Sequence, residues 1–353
     1  MGSTLMTTTG LGQLPSTDPT AILRYRDGIY AVDLLTAAIT EFQFFDSLKA
    51  NPGTLEDVCA HYGWDERPAD VLITLCKCNG LVCEDEEGIL RITASAEEHL
   101  VEGSPWNLSR YYASLRDRPV VEDFVRVLKS GRPAHWSGLD EADGDWHGAM
   151  LNEEFAKTFT GAMDCRGVFL GKKLADIVSR ELEKGKRVLD IGGGSGVYSC
   201  ALAANNAHLA AVVFEQAPVD AIAREKIRER GLSEQVSVAV GDMFSDPLPA
   251  DCDIHLFSNV MHDWGGDKVV ELLQRSREAL PADGLVLIHE TFLNAQKTGP
   301  LPVAEYSCIL AHSTQGRCYS VAEIEAFLLE AGMEMIDHRA TGGNRSVILA
   351  QVK

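Results

Sequence analysis

VLDIGGGSGVYSCALA, residues 188–203, decides the fold. Arg187, Val188, Leu189, Asp190 and Ile191 form an apolar, β-branched run that predicts a buried strand. Gly192, Gly193, Gly194 and Gly196 follow, where the backbone can turn without a side chain blocking a ligand, and a helix of small residues comes next. This order of strand, glycine loop and helix is that of a nucleotide-type pocket. A dinucleotide fingerprint needs G-x-G-x-x-G, so that a pyrophosphate can rest on the helix N-terminus. Counted from Gly192, the last of those positions is Val197. Asp190, ahead of the loop, would repel a pyrophosphate and suits a ligand carrying a cationic amino group. The loop therefore points to S-adenosylmethionine rather than to a nicotinamide dinucleotide.

The following segments agree. A second apolar run, residues 210–214, ends in Glu215, about 20 residues past the first glycine, where a carboxylate accepting from ribose hydroxyls is expected. A third, 236–240, precedes Gly241, Asp242, Met243 and Phe244, which offer an acid and two soft or flat apolar groups to an adenine ring. A fourth, 253–259, carries Ser258 as a further cofactor-side candidate and leads into Val260, Met261, His262, Asp263 and Trp264. In a parallel sheet all four C-terminal ends share the ligand-binding edge.

LDIGGGSG, GDMF and NVMHDWGGDKVVELLQRSREALPADGLVLIHE, the last of these ending at Glu290, together resemble the class I S-adenosylmethionine-dependent methyltransferases of the plant and bacterial small-molecule O-methyltransferase group. The resemblance extends over residues 21–353 and is strongest over 188–290. It implies an α/β fold, a Rossmann-like sheet whose last strand, near 345–352, is antiparallel, plus an N-terminal helical and winged-helix dimerisation domain. The expected division is a disordered tail at 1–20, the dimerisation domain at 21–105, a helical linker and acceptor-pocket region at 106–175, and the cofactor-binding catalytic domain at 176–353. The expected assembly is a homodimer acting on a small molecule.

The resemblance also implies roles. His262 would take the proton of a phenolic hydroxyl as the methyl group is transferred, with Asp263 and Trp264 lining the cofactor side. Family members pair that histidine with two acids. Glu290 matches the first, but Cys318, in the run Gly316, Arg317, Cys318, Tyr319, Ser320, stands where the second would fall. Arg166, on the helix leading into the cofactor domain, could clamp a carboxylate with two hydrogen bonds, or could pair with Asp164 or Asp190. The aromatics of 106–163, Trp106, Tyr111, Tyr112, Trp136 and Trp146, fall in the region that roofs the acceptor pocket in the family.

The missing glutamate favours a second chemistry. The site is also similar to that of bacterial C-methyltransferases acting at the β-carbon of 2-oxo acids such as phenylpyruvate, which implies a metal such as zinc or iron held by His262, Glu290 and His312. A 2-oxo acid chelated there would enolise readily, with Arg166 as its carboxylate clamp. The alternative is a metal-independent O-methyltransferase of a phenolic metabolite with His262 as general base. A more distant one is a cofactor-sensing DNA-binding regulator.

Composition bounds these readings. At 353 residues, 45% hydrophobic and 24% charged, the chain can bury one large core and one small one. It has no apolar run of the roughly 20 residues a membrane helix needs, and its first residues lack a basic start followed by an apolar stretch. The expected location is cytoplasmic, with no membrane partner. A formal charge of −20 argues against nucleic acid, and the acidic turn Asp85, Glu86, Glu87, Gly88 between the wing strands argues against a DNA-reading wing. The nine cysteines are scattered; Cys76, Cys78 and Cys83 form the one cluster and read as core thiols. His255, His289 and His338 read as structural, because they lie in apparent strands.

Overall fold

The computed structural model describes residues 9–134 and 146–353; Trp136 and the side chain of Trp146 lie outside the described residues. The chain forms two units, one of Met1–Leu23, Ala142–Thr291 and Ala322–Lys353, the other of Arg24–Glu141 and Phe292–Val321. Among the described residues no helix is long and apolar enough to cross a membrane.

The second unit is mostly helical. The helix Leu55–Tyr62 starts on a capping box, in which the Thr54 hydroxyl accepts from the Asp57 amide while the Asp57 carboxylate accepts from the Thr54 amide. Gly63, with φ of 64°, ends it, and Glu66–Cys78 follows with Asp65 as its cap. A small antiparallel hairpin comes next, β1 (Val82–Glu84) with β2 (Leu90–Ile92), Val82 opposite Ile92. Leu34, Phe44, Phe45, Leu72, Leu75 and Phe124 fill the core. The helix Leu301–Ser313 adds Val303, Tyr306 and Cys308 to it. Residues 292–321, which sequence order assigns to the catalytic domain, thus bury their apolar face with the N-terminal helices. Burial pushes the Cys76 and Cys308 thiols well up, as expected of core cysteines rather than nucleophiles.

The first unit is built on a sheet of seven strands: β3 (Arg187–Ile191), β4 (Ala210–Glu215), β5 (Val236–Val240), β6 (Ile254–Ser258), β7 (Leu285–Glu290), β8 (Met333–Gly342) and β9 (Arg345–Val352). Their order across the sheet is β5-β4-β3-β6-β7-β9-β8, with the first five parallel and β9 antiparallel to both neighbours. From β3 the chain winds outward through β4 to β5, then returns to the other side of β3 as β6. That reversal opens a crevice beyond the C-terminal ends of β3 and β6, where open α/β sheets bind ligands.

Packing explains Val197. A Cβ at Gly167 would collide with the Val197 side chain, and one at Gly171 would come within 2.9 Å of Ala201. Glycines on the long helix Glu153–Ile177 therefore let it lie closely on the helix Val197–Asn205 that follows the loop. The close approach that a third loop glycine gives a dinucleotide fold is made here from the opposite helix. The disordered tail expected at 1–20 is corrected in part. Thr9–Gly12 is helical, Leu11 is buried in the core of the sheet unit, and the Asn205 amide donates to the Leu11 carbonyl at 2.8 Å.

Candidate active site at the sheet crevice

Gly192, Gly194 and Gly196, at φ of 67°, 55° and 72°, turn the chain off β3. Asp190 ends up directly beneath this loop, since a Cβ at Gly193 would come within 2.7 Å of its carboxyl carbon. Burial pushes the Asp190 pKa up to about 6, opposed by hydrogen bonding from Ser199, whose hydroxyl donates to Oδ2 at 2.8 Å. Asp190 Oδ1 is buried and has no hydrogen-bond partner among the described residues. At the end of β4 the Glu215 carboxylate accepts from the Gly194 amide at 3.0 Å and the Gln216 amide at 2.9 Å. Burial raises its pKa to about 7. Two of its four lone-pair positions remain for other donors. These acceptors suit a ligand that brings an ammonium group and ribose hydroxyls, which is what S-adenosylmethionine carries.

Beyond β5, Gly241 has to be glycine, because a Cβ there would lie 2.5 Å from the Phe214 ring. Asp242 accepts from the Phe244 amide at 2.8 Å, and the Met243 sulfur would lie 3.7 Å from a Cβ at Gly192. Phe244 packs edge-on against Trp264 at 4.6 Å. The structure thus places the adenine-side candidates beside the glycine loop. Ser258 ends β6, where its hydroxyl is hydrogen-bonded to His289 Nδ1 at 2.9 Å, and His289 Nε2 to Thr341 at 3.0 Å. Burial holds the His289 pKa down to about 3, with Arg345 and Arg166 adding to the shift. His255, paired with Ser276 at 2.8 Å, is likewise held down to about 4 by burial.

His262 lies in the short 3-10 turn Met261–Asp263 and is buried. Its Nδ1 is 2.5 Å from Glu290 Oε2, while Glu290 Oε1 accepts from the Val260 and Met261 amides at 2.7 and 3.0 Å. The carboxylate holds a proton on Nδ1, so that in the neutral ring the lone pair falls on Nε2. Asp263 stands 3.7 Å from Nε2. Burial pulls the His262 pKa down, but the charges of Glu290 and Asp263 and the Nδ1 hydrogen bond outweigh it. The net shift is upward, with Arg166 opposing. Burial raises Asp263 to about 6. The charge of the Arg166 guanidinium lowers the pKa values of His262, Asp263 and His289 alike. Asp164, one of the two acids open to Arg166 as a partner, accepts from Arg230 at 2.8 Å.

The metal set of His262, Glu290 and His312 is corrected. Both Glu290 oxygens are engaged by the turn and by His262, and both ring nitrogens of His312 are within hydrogen-bond distance of protein groups, Nε2 of Asp123 at 3.0 Å and Nδ1 of Ser313 at 3.2 Å. Among the described residues no group of three or more His, Cys, Asp or Glu side chains could hold a metal ion. Cys318 is buried in the core of the helical unit, its amide donating to the Ser307 hydroxyl at 3.0 Å. Sequence reading missed Tyr198 and Asn259, linked at 2.9 Å, and Arg345, whose Nε is 3.4 Å from the Asn259 side-chain oxygen. The one sequence signal was an asparagine at a strand end, a residue type that tolerates a left-handed backbone.

Residues 136–334 match the model of the O-methyltransferase domain family. The 3-hydroxy-5-methyl-1-naphthoate 3-O-methyltransferase of Streptomyces sahachiroi is 31% identical over 316 residues, 89% of each chain. The L-tyrosine C(3)-methyltransferase of Streptomyces lavendulae is 28% identical over 86% of this chain and 84% of its own. Among solved structures, an O-methyltransferase family 2 protein from Planctomyces limnophilus in complex with apigenin superimposes with a TM-score of 0.87 at 28% identity, over 99% of this chain and 100% of that one.

Proposed function

The chain belongs to the O-methyltransferase family and is an S-adenosylmethionine-dependent methyltransferase, and on that premise we propose that it methylates an aromatic hydroxyl on a small molecule, with His262 as general base. The hydrogen-bonded pair of His262 and Glu290 carries this reading, because it presents a basic Nε2 and supports the imidazolium once the proton arrives. S-adenosylmethionine, which Asp190 and Glu215 would hold, would supply a methyl carbon bonded to a sulfonium sulfur, for an O–C bond that forms as the C–S bond breaks with the sulfur keeping the electron pair. Around that exchange the protein has two tasks: Asp190 and Glu215 orient the cofactor, and His262 removes the hydroxyl proton. Metal-assisted methylation of a 2-oxo acid loses its support with the ligand set.

Arg166 narrows the acceptor. A guanidinium whose charge reaches His262 suits a substrate whose carboxylate lies on the same ring system as the reacting hydroxyl. The name of the Streptomyces sahachiroi relative describes such a substrate, a hydroxynaphthoate. Arg166→Ala is expected to raise KM for hydroxyaromatic acids about 10- to 100-fold and to leave hydroxyaromatics without a carboxylate nearly unchanged. Equal loss on both groups in steady-state kinetics would remove the clamp.

Glu215 gives a separate test on the cofactor side. Glu215→Gln is expected to weaken S-adenosylmethionine binding about 10-fold or more by calorimetry, with kcat at saturating cofactor little changed. An unaltered Kd would mean that the carboxylate holds only the loop.

The proposal as a whole is tested by incubating the protein with methyl-labelled S-adenosylmethionine and three sets of acceptors: hydroxyaromatic acids, plain phenols and 2-oxo acids. Methyl ethers of the first set are the expected products. Methylation confined to 2-oxo acids would overturn the reading. A second reading, transfer to the ring carbon beside the hydroxyl, is favoured by the L-tyrosine C(3)-methyltransferase relative. Loss of the phenolic proton to the same base makes that carbon nucleophilic too, and locating the label in the product separates the two.

A further inference from the structure

The turn that carries His262 begins at a strained residue. Asn259, immediately after β6, has φ of 55°, in the left-handed region that few non-glycine residues adopt. Val260 follows in a right-handed conformation, at φ of −118° and ψ of −48°. A left-handed residue followed by a right-handed one aims successive amides at one point, a concavity that holds an oxyanion. Here the Asn259 amide continues the ladder to the His289 carbonyl at 3.0 Å, and the Val260 and Met261 amides both converge on Glu290 Oε1. The oxyanion in the concavity is the side chain that polarises His262.

The Asn259 side chain is also fixed. Its amide donates to the Tyr198 hydroxyl at 2.9 Å and to the Ser258 hydroxyl at 3.2 Å, and Arg345 Nε donates to its oxygen at 3.4 Å. Tyr198 is in the first turn of the glycine-loop helix, so a single residue ties the base turn to the element beneath the cofactor loop and to the start of β9. We propose that Asn259 is a positioning residue, whose left-handed backbone builds the amide concavity that holds Glu290 against His262, and whose side chain fastens that turn to the glycine-loop helix through Tyr198. The inference rests on His262 being the base.

Asn259→Ala, Asn259→Gly and Tyr198→Phe separate the two parts, each assayed for kcat, acceptor KM, cofactor Kd and thermal midpoint. Alanine resists the left-handed region and glycine enters it freely, so Asn259→Ala is expected to lose about 10- to 100-fold in kcat and Asn259→Gly to recover at least about fivefold of that. Tyr198→Phe is expected to cost only a few-fold, and cofactor Kd to stay within about threefold throughout. In a His262→Ala background, Asn259→Ala should subtract nothing further, because both act through the same group. Equal losses for the alanine and glycine variants, kcat losses that scale with thermal midpoint, or a further loss in the His262→Ala background would each overturn the assignment. Failure of the base reading is distinguishable from these: it shows as an unchanged kcat in His262→Ala alone.

Discussion

His262→Ala is expected to lower kcat about 10³-fold while the Kd for S-adenosylmethionine stays within about threefold. The size follows from the environment of the imidazole. It is buried, Nδ1 is committed to Glu290, and Nε2 stands 3.7 Å from Asp263. Water could replace it only poorly as a base, because it would not be held at the angle that Glu290 and the turn give the ring. Single-turnover assays at saturating cofactor isolate the transfer step, and calorimetry reports binding. A variant that keeps its turnover would leave His262 a structural residue and return the reaction to substrates that need no base.

Glu290→Gln is expected to be nearly as damaging, although it removes one charge and almost no volume. A glutamine can still accept from the Val260 and Met261 amides through its oxygen, but its NH2 group then faces Nδ1 of His262. That nitrogen has to become the acceptor, so the proton moves to Nε2, the position that must be free to receive one. Replacing the acid that orients a catalytic imidazole by its amide costs roughly 10⁴-fold in Ser-His-Asp enzymes, and a loss of about 10³-fold or more is expected here. The pH profile carries an independent sign. The base works only when neutral, and the net shift of His262 is upward, so wild-type kcat/KM should rise with pH through a limb above the ordinary histidine value of about 6.5. Removing the Glu290 charge leaves burial and Arg166, both lowering, opposed by Asp263 alone. The limb should therefore fall to lower pH in the residual activity. A limb that does not move would show that another group sets it.

The sheet was readable from its strands because parallel strands buried on both faces are mostly apolar along their length, as β3 with Val188, Leu189 and Ile191 and β6 with Ile254, Leu256 and Phe257 are. The places of the cofactor-side candidates were readable for a related reason: the glycine loop, Glu215 and the segment from Gly241 to Phe244 each sit at or just past the end of a strand, so position along the chain implies position at the crevice. The metal set failed where that rule does not reach. His312 lies on a helix whose neighbours are set by packing, and its Asp123 partner is 189 positions away in the chain. Ser258 illustrates a finer limit, since its place at a strand end was legible and the choice of His289 as its partner was not. Asn259 shows the same limit in the backbone, because a left-handed dihedral leaves no mark in composition or periodicity.

The assignment of Leu301–Ser313 to the helical core has a consequence for handling the protein in pieces. Neither unit is a continuous stretch of chain, so the cofactor sheet cannot be excised by cutting at one linker. A fragment of residues 176–353 would carry Val303, Tyr306 and Cys308 without the Leu34 and Phe124 layer that buries them. Such a fragment would exchange a folded enzyme half for an exposed apolar helix face, the kind of surface that drives aggregation. Recombining catalytic halves among relatives would have to carry residues 292–321 along with the N-terminal helices that receive them, as one co-adapted set.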